Sequence, residues 1–222
     1  MKRVRKSLGQ SILRYCWAAL LLGFTQVSIG QNEALVVLAH PDIERSQVNK
    51  HLAHKLSTIE HVTVHSLYEQ YTDQPLDISR EQALIQAHDM VVLQFPLYWF
   101  SSPSLLKQWQ DEVFTSAFSI GESNRVKGKQ FMVIVSVGGT EKDYQPMGIM
   151  KATMEDILIP YKTFARLTEM KYLEPFITYG VPNPSILNIP MTEDETALRM
   201  KFIESKGEEL VRRFEDLLKS ND

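Results

Sequence analysis

Short unbroken apolar runs, rich in β-branched residues, alternate along this chain with stretches whose apolar residues recur at helical spacing. No other feature narrows the fold as much, because this is the pattern of βαβ units and a parallel sheet. Ala34 to Ala39 (ALVVLA) carries no polar residue, as a strand buried on both faces requires. Val62 to Leu67, Met90 to Phe95 (MVVLQF), Gln130 to Val137 (QFMVIVSV) and Lys171 to Tyr179 read as further strands. Between the first two, Ser46 is placed to cap a helix over Gln47 to Thr58, with Val48, Leu52 and Leu56 on one face. Ser79 with Gln82 suggests a capping box for a helix through Ala87, and Ser104 to Val113 reads as another helix. Thr192 with Glu195 looks like the capping box of a long last helix, Glu193 to Lys219, whose apolar side is read as Leu198, Phe202, Leu210, Phe214 and Leu217. The expected class is α/β, a doubly wound five-stranded parallel sheet with helices on both faces.

Such sheets bind ligands beyond the carboxyl ends of their strands. The loops after strands one, three and four are the ones with unusual residues. The first, His40-Pro41-Asp42-Ile43-Glu44-Arg45-Ser46, opens a helix whose free N–H groups and positive dipole end suit a phosphate. Ser46 and Asn49 are side-chain donors there, with His40 or Arg45 nearby; the bland alternative is that Ser46 only caps its helix. Neither GxGxxG nor a P-loop is present. The second loop sets Tyr98, Trp99 and Phe100 between Pro96 and Pro103. Three consecutive aromatics offer a stacking platform for a flat heterocycle, unless one or two of them simply cover the core. In the third, Ser136-Val137-Gly138-Gly139-Thr140, the glycines let backbone N–H groups approach a ligand closely, and Tyr144 follows at a short distance.

Charge excludes one class of partner. The formal net charge is -3, yet residues 1–31 hold five basic side chains and no acidic one, leaving 19 basic against 27 acidic residues, or -8, in the remainder. A part this acidic lacks the electrostatic footprint of a nucleic-acid binder. Cys16 is the only cysteine, so no intramolecular disulfide forms. Residues 1–31, with a basic start, an apolar stretch from Cys16 to Phe24 and small residues at Ser28 and Gly30, read as a signal-like or disordered extension. It is either an export or surface-anchoring segment or a floppy tail, and residues 32–222 form the folded domain.

Together the loops resemble the flavodoxin-like NAD(P)H dehydrogenase (quinone) family, which includes mammalian-type quinone reductases and the ancillary proteins of glutathione-regulated potassium efflux systems. The most specific stretch is Phe95-Pro96-Leu97-Tyr98-Trp99-Phe100, then Pro103, Leu105-Leu106-Lys107, Trp109 and Val113-Phe114. Ala39-His40-Pro41 with Ser46 and Asn49, Gly138-Gly139 and Leu173-Glu174-Pro175 also match, and Ser66-Leu67-Tyr68 with Asp77-Ile78 looks more like the ancillary branch.

The resemblance implies a flavin, FMN with FAD as the alternative, reduced by NADH or NADPH and reoxidised by a quinone-like acceptor. It implies that His40, Ser46, Gln47, Val48 and Asn49 bind the phosphate side of the flavin. Pro96, Leu97, Tyr98 and Trp99 would cradle the ring, Ser136, Val137, Gly138 and Gly139 would meet its polar edge, and Tyr144 would stabilise its reduced form. A histidine that the family places after the tyrosine is Met150 here, which interrupts a tyrosine–histidine relay. The resemblance further implies a homodimer. The alternative function is a flavin-binding regulatory subunit of a membrane potassium efflux transporter. A cytoplasmic location, with attachment at the inner membrane, goes with the ancillary branch; export goes with the signal-like segment.

Ala39-His40-Pro41-Asp42 also resembles the opening of the metal-dependent sugar and amide deacetylases. Ile43 replaces their second aspartate and no histidine follows His88, so three metal ligands are not available. The remaining conspicuous residues read as structural. Met147, Met150 and Met154 fill core or pocket wall, His51, His54, His61 and His65 lie at the surface or a strand edge, and Trp109 and Phe114 pack their helix.

Overall fold

The computed structural model describes residues 32–182 and 190–219. The signal-like segment falls outside them. Strands β1 (Ala34–Leu38), β2 (Val62–Ser66), β3 (Met90–Pro96) and β4 (Gln130–Ser136) run parallel, with β5 (Lys171–Tyr172) and β6 (Phe176–Thr178) sharing the far edge of β4. The order is β2-β1-β3-β4-β5, with β6 pairing β4 further along the same edge. The chain therefore steps from β1 outward to β2, then returns past β1 to start β3 on its other side. Right-handed crossovers in opposite directions put the helices on opposite faces.

One face is covered by α1 (Gln47–Ser57) and α8 (Glu193–Lys219), the other by α2 (Leu67–Tyr71), α3 (Ile78–Ala87), α4 (Ser104–Val113), α5 (Ser116–Ser119), α6 (Met154–Ile157) and α7 (Ile159–Leu167). Strand β1 shows why its sequence is apolar throughout. Ala34 and Val36 pack with Val48, Leu52 and Leu56 of α1 and with Ile203, Leu210 and Phe214 of α8, whereas Leu35 and Val37 pack with Leu106 and Trp109 of α4. Helix α1 starts where Ser46 accepts the Asn49 N–H at 3.2 Å, as expected of its cap.

Four expectations change. Helix α3 is capped by Asp77, which accepts the Arg80 N–H at 3.0 Å, and Ser79 lies inside the first turn. The strand expected over Lys171 to Tyr179 is two pieces, because Pro175 has no N–H to donate to a ladder and the chain swings out through Leu173-Glu174-Pro175. The Thr192–Glu195 box forms, with the Glu195 N–H donating to Thr192 Oγ1 and the Thr192 N–H to Glu195 Oε2. The apolar stripe of α8, however, is Ile203, Leu210, Phe214 and Leu218 around Gly207, and Leu198 is 68% exposed. Met154 is buried as expected, but Met147 is 96% exposed.

His65 lies on the edge strand β2, as one of the two expectations has it, but is buried and not at the surface. It is buried with Glu81, whose carboxylate receives His65 Nε2 at 3.0 Å, the Tyr71 hydroxyl at 2.5 Å and Trp109 Nε1 at 2.7 Å. This knot ties β2, α2, α3 and α4 together. Because α4 follows the aromatic loop directly, the anchored Trp109 also fixes where that loop ends. Among the described residues, no helix is long and apolar enough to cross a membrane.

Candidate functional site

A cleft of about 240 Å³ opens where the chain reverses direction between β1 and β3. At such a switch point the two neighbouring loops leave on opposite faces and a crevice must form between them. The three expected loops all reach it. His40 and Ser46 to Asn49 line one side, Pro96, Leu97 and Tyr98 a second, and Ser136, Val137 and Gly138 a third. Trp99, Gly139 and Tyr144 do not line it.

On the first side, Gln47 and Val48 head α1, so their N–H groups have no carbonyl within the helix to donate to. Ser46 Oγ accepts from both the Asn49 N–H and Asn49 Nδ2, at 3.2 and 3.1 Å, and its own proton is left to point elsewhere. Asn49 is a different matter. Its amide hydrogens go to Ser46 Oγ and, at 2.9 Å, to Ser136 Oγ, and its backbone carbonyl receives Gln94 Nε2 at 2.8 Å. Asn49 therefore holds the end of β4 against α1 and has no hydrogen left to donate to a ligand. Gln94, missed by sequence reasoning, is the one polar side chain within the apolar run of β3, and that break in pattern is the signal that could have found it.

His40 Nδ1 accepts the Asp42 N–H at 3.1 Å, so in the neutral ring Nε2 carries the proton. Burial pushes the His40 pKa down, and the Asp42 charge and hydrogen bond only partly oppose it. His40 thus offers a neutral N–H donor. Arg45, by contrast, sits 4.0 Å from Asp42 with its side chain largely exposed and does not line the cleft.

The aromatic loop is a hairpin. Tyr98 and Ser101 exchange N–H···O bonds of 2.9 and 3.0 Å, and Trp99 and Phe100 form the tip with φ of 48° and 64°. A two-residue tip with both φ positive favours glycine or asparagine. Two aromatics there are held against their preference, with Trp99 93% exposed. Tyr98 is the aromatic that enters the cleft wall, its ring edge-on to His40 at 6.3 Å.

In the third loop the two glycines do different work. A Cβ on Gly138 would meet Pro182 at an ordinary 3.5 Å, so the fold does not need glycine there. A Cβ on Gly139 would come within 3.0 Å of the Tyr144 ring, so that glycine exists to let the tyrosine pack behind the loop. Met150, where a histidine was expected, packs against the core and carries no ionisable group.

Three lining residues escaped sequence reasoning: Val181, Pro182 and Arg199. Arg199 stands on α8 and reaches α1, its Nε donating to Gln47 Oε1 at 2.7 Å. It is the only arginine or lysine of the cleft wall among the described residues, and no described carboxylate pairs with it. Free helix N–H groups, a serine hydroxyl and a guanidinium thus converge on one end of the cleft, the donor set that an anion such as a phosphate ester requires.

Residues 32–198 match the profile of a family described as having a flavodoxin-like fold. A Bacillus subtilis (strain 168) protein named as the NAD(P)H oxidoreductase YdeQ is 38% identical over 191 residues, 86% of this chain and 97% of that one. The potassium-efflux ancillary protein KefG of Cronobacter sakazakii is 37% identical over 155 residues, 69% of this chain and 84% of that one. The crystal structure of a general stress protein 14 from Treponema denticola, in complex with FMN, is 32% identical, with a TM-score of 0.73 over 83% of this chain and 99% of the other.

Proposed function

The chain belongs to the family with the flavodoxin-like fold, and on that premise we propose that it is an NAD(P)H oxidoreductase that uses FMN to reduce quinone-type acceptors. The observation that carries the reading is the convergence of the Gln47 and Val48 N–H groups, the Ser46 hydroxyl and Arg199 at one end of a cleft at the strand-order reversal. These donors fit the phosphate of a mononucleotide, and the relatives named as NAD(P)H oxidoreductase and as an FMN complex support it. Bound there, FMN would supply the two-electron, hydride-level redox chemistry between a nicotinamide and the acceptor.

The chain's own residues then have distinct tasks. Ser46, Gln47, Val48 and Arg199 hold the phosphate. His40 gives one neutral N–H, and Tyr98 with Pro96 and Leu97 forms the wall against which the flat ring lies. Ser136, Val137 and Gly138 bring backbone groups to the polar edge of the ring, where N–H donors would stabilise negative charge that develops on reduction. Asn49 and Gln94 keep these loops in register. Gly139 and Tyr144 support the third loop from behind, and with Met150 in the histidine's place no proton relay runs from Tyr144 through that position.

A cleft of about 240 Å³ is below the usual range of about 300–1,000 Å³ for a site that encloses its ligand. One face of the ring would remain open in a single copy. That favours a homodimer in which the second copy covers the open face, with Trp99 and Phe100, exposed at the hairpin tip, beside the seam. A second reading, a flavin-binding ancillary subunit of a potassium efflux transporter, is favoured by the KefG relative and is compatible with the same cofactor site.

The purified chain is expected to show a flavin absorption spectrum that bleaches with NADH or NADPH and recovers with benzoquinone. A protein that takes up no FMN and oxidises neither nicotinamide overturns the reading. Arg199→Ala is expected to weaken FMN binding about 10- to 100-fold, the worth of a charge-assisted hydrogen bond, while riboflavin, which lacks the phosphate, binds as before. Equal loss of both ligands in a fluorescence titration would show that Arg199 does not meet the phosphate.

A further inference from the structure

A second cavity, of about 560 Å³, lies along the free edge of β5 and β6 beneath α6 and shares no residue with the cleft. Its apolar surface comes from Met154, Leu158, Pro175 and Ile177. Three tyrosines, Tyr144, Tyr172 and Tyr179, also line it, the rings of Tyr144 and Tyr179 being 5.8 Å apart, with Gln145 and Thr153 beside them. None of the three hydroxyls is hydrogen-bonded by a described residue, although Tyr144 is only 5% exposed.

A buried hydroxyl without a partner is costly, and most buried polar groups have one. Tyr144 is absent from the hydroxyls sealed away from solvent without a partner, so its oxygen reaches open space. All three phenols stay protonated at neutral pH. Burial first, then the Glu155 charge, pushes Tyr172 up to about 12, and burial likewise raises Tyr144 and Tyr179. They are therefore O–H donors with no acceptor among the described residues.

The rim selects among possible acceptors. Glu155 and Glu174 lie on it, and the single cation there, Lys162, is paired with Glu155 at 2.8 Å. A carboxylate or phosphate ligand would meet net negative charge, so the acceptor oxygen must be uncharged. The apolar floor and the tyrosine rings suit a flat apolar body. We propose that this cavity is a second small-molecule site, distinct from the cofactor cleft, for neutral aromatic carbonyl compounds whose oxygens accept from the Tyr144, Tyr172 and Tyr179 hydroxyls. The site does not depend on the flavin reading.

The test uses the full chain and 2-acetylnaphthalene, an aryl ketone with no quinone redox chemistry, followed by titration calorimetry. Saturable binding is expected, unchanged by saturating FMN. Tyr172→Phe and Tyr179→Phe, which keep the rings, should each weaken it about two- to tenfold, as loss of one neutral hydrogen bond does. Methyl NMR of Met154 and Ile177 reports on the same site without substitution, and their signals should move on titration. Absence of binding, displacement by FMN, undiminished affinity in both tyrosine variants, or shifts at Val48 and Leu97 in place of Met154 and Ile177 would each overturn the proposal.

Discussion

Glu81→Ala is expected to cost the fold about 3–5 kcal/mol, which is the usual penalty for removing one partner of a buried charged network. The carboxylate is fully buried and accepts from His65, Tyr71 and Trp109. Without it three buried donors lose their acceptor at once, and Trp109 loses the bond that fixes α4. At about 2–4 °C per kcal/mol for a domain of this size, melting should fall by roughly 6–20 °C. Burial pushes the Glu81 pKa up, but the hydrogen bonds from His65, Tyr71 and Trp109 together outweigh it and hold the group below its ordinary 4.5. A carboxyl whose folded pKa is depressed stabilises the protein above its unfolded pKa and loses that contribution as pH falls through the folded one. The native chain should therefore lose stability progressively below about pH 4.5, and Glu81→Gln should flatten that slope while lowering the plateau at neutral pH. Melting curves from pH 3 to 7 decide it. A variant as stable as the parent at pH 7 would mean that the knot contributes nothing.

Ser46→Asp is expected to weaken FMN binding by two to three orders of magnitude while leaving the fold intact. Aspartate is as good a helix cap as serine, so the bond from the Asn49 N–H has a replacement acceptor. Its negative charge would stand where the phosphate is held. Two like charges about 4 Å apart at a partly solvated site repel by up to about 4 kcal/mol, which predicts a loss of two to three orders of magnitude in FMN affinity. Riboflavin carries no phosphate and should lose less than about fivefold. Fluorescence titration with the two ligands separates the outcomes. Unchanged FMN affinity would move the phosphate away from α1, and equal loss of both flavins would point to a disrupted cleft.

Much of the architecture was legible because it is written in local patterns. A strand buried on both faces has to be apolar throughout, so β1, β3 and β4 stood out, and the caps at Ser46 and at Thr192 with Glu195 follow from side chains that satisfy helix N–H groups a few residues away. Where two local signals compete, pattern alone failed. Asp77 and Ser79 are both good caps two residues apart, and the carboxylate won. Along α8 two apolar sets coexist, and a phase error of one residue, about 100° of rotation, exchanges Leu198 and Phe202 for Ile203 as the buried side. Pro175 splits an otherwise strand-like run of apolar and aromatic residues into β5 and β6, because it has no N–H to give a neighbouring strand.

The sequence by itself determined the class of sheet, the three loops at its carboxyl ends and the part of the cleft lining that those loops supply, because each is set by neighbours within a turn or a strand. Only the tertiary structure decided which of those residues have hydrogens left to give. It turned Asn49 inward to Ser136, sent Trp99 out to solvent and set Tyr144 behind Gly139. It brought Arg199 to Gln47 across 152 residues, and gathered His65, Tyr71 and Trp109 around Glu81 from three other elements. Such contacts depend on the relative placement of packed elements, which burial of apolar faces fixes and which no periodicity along the chain encodes.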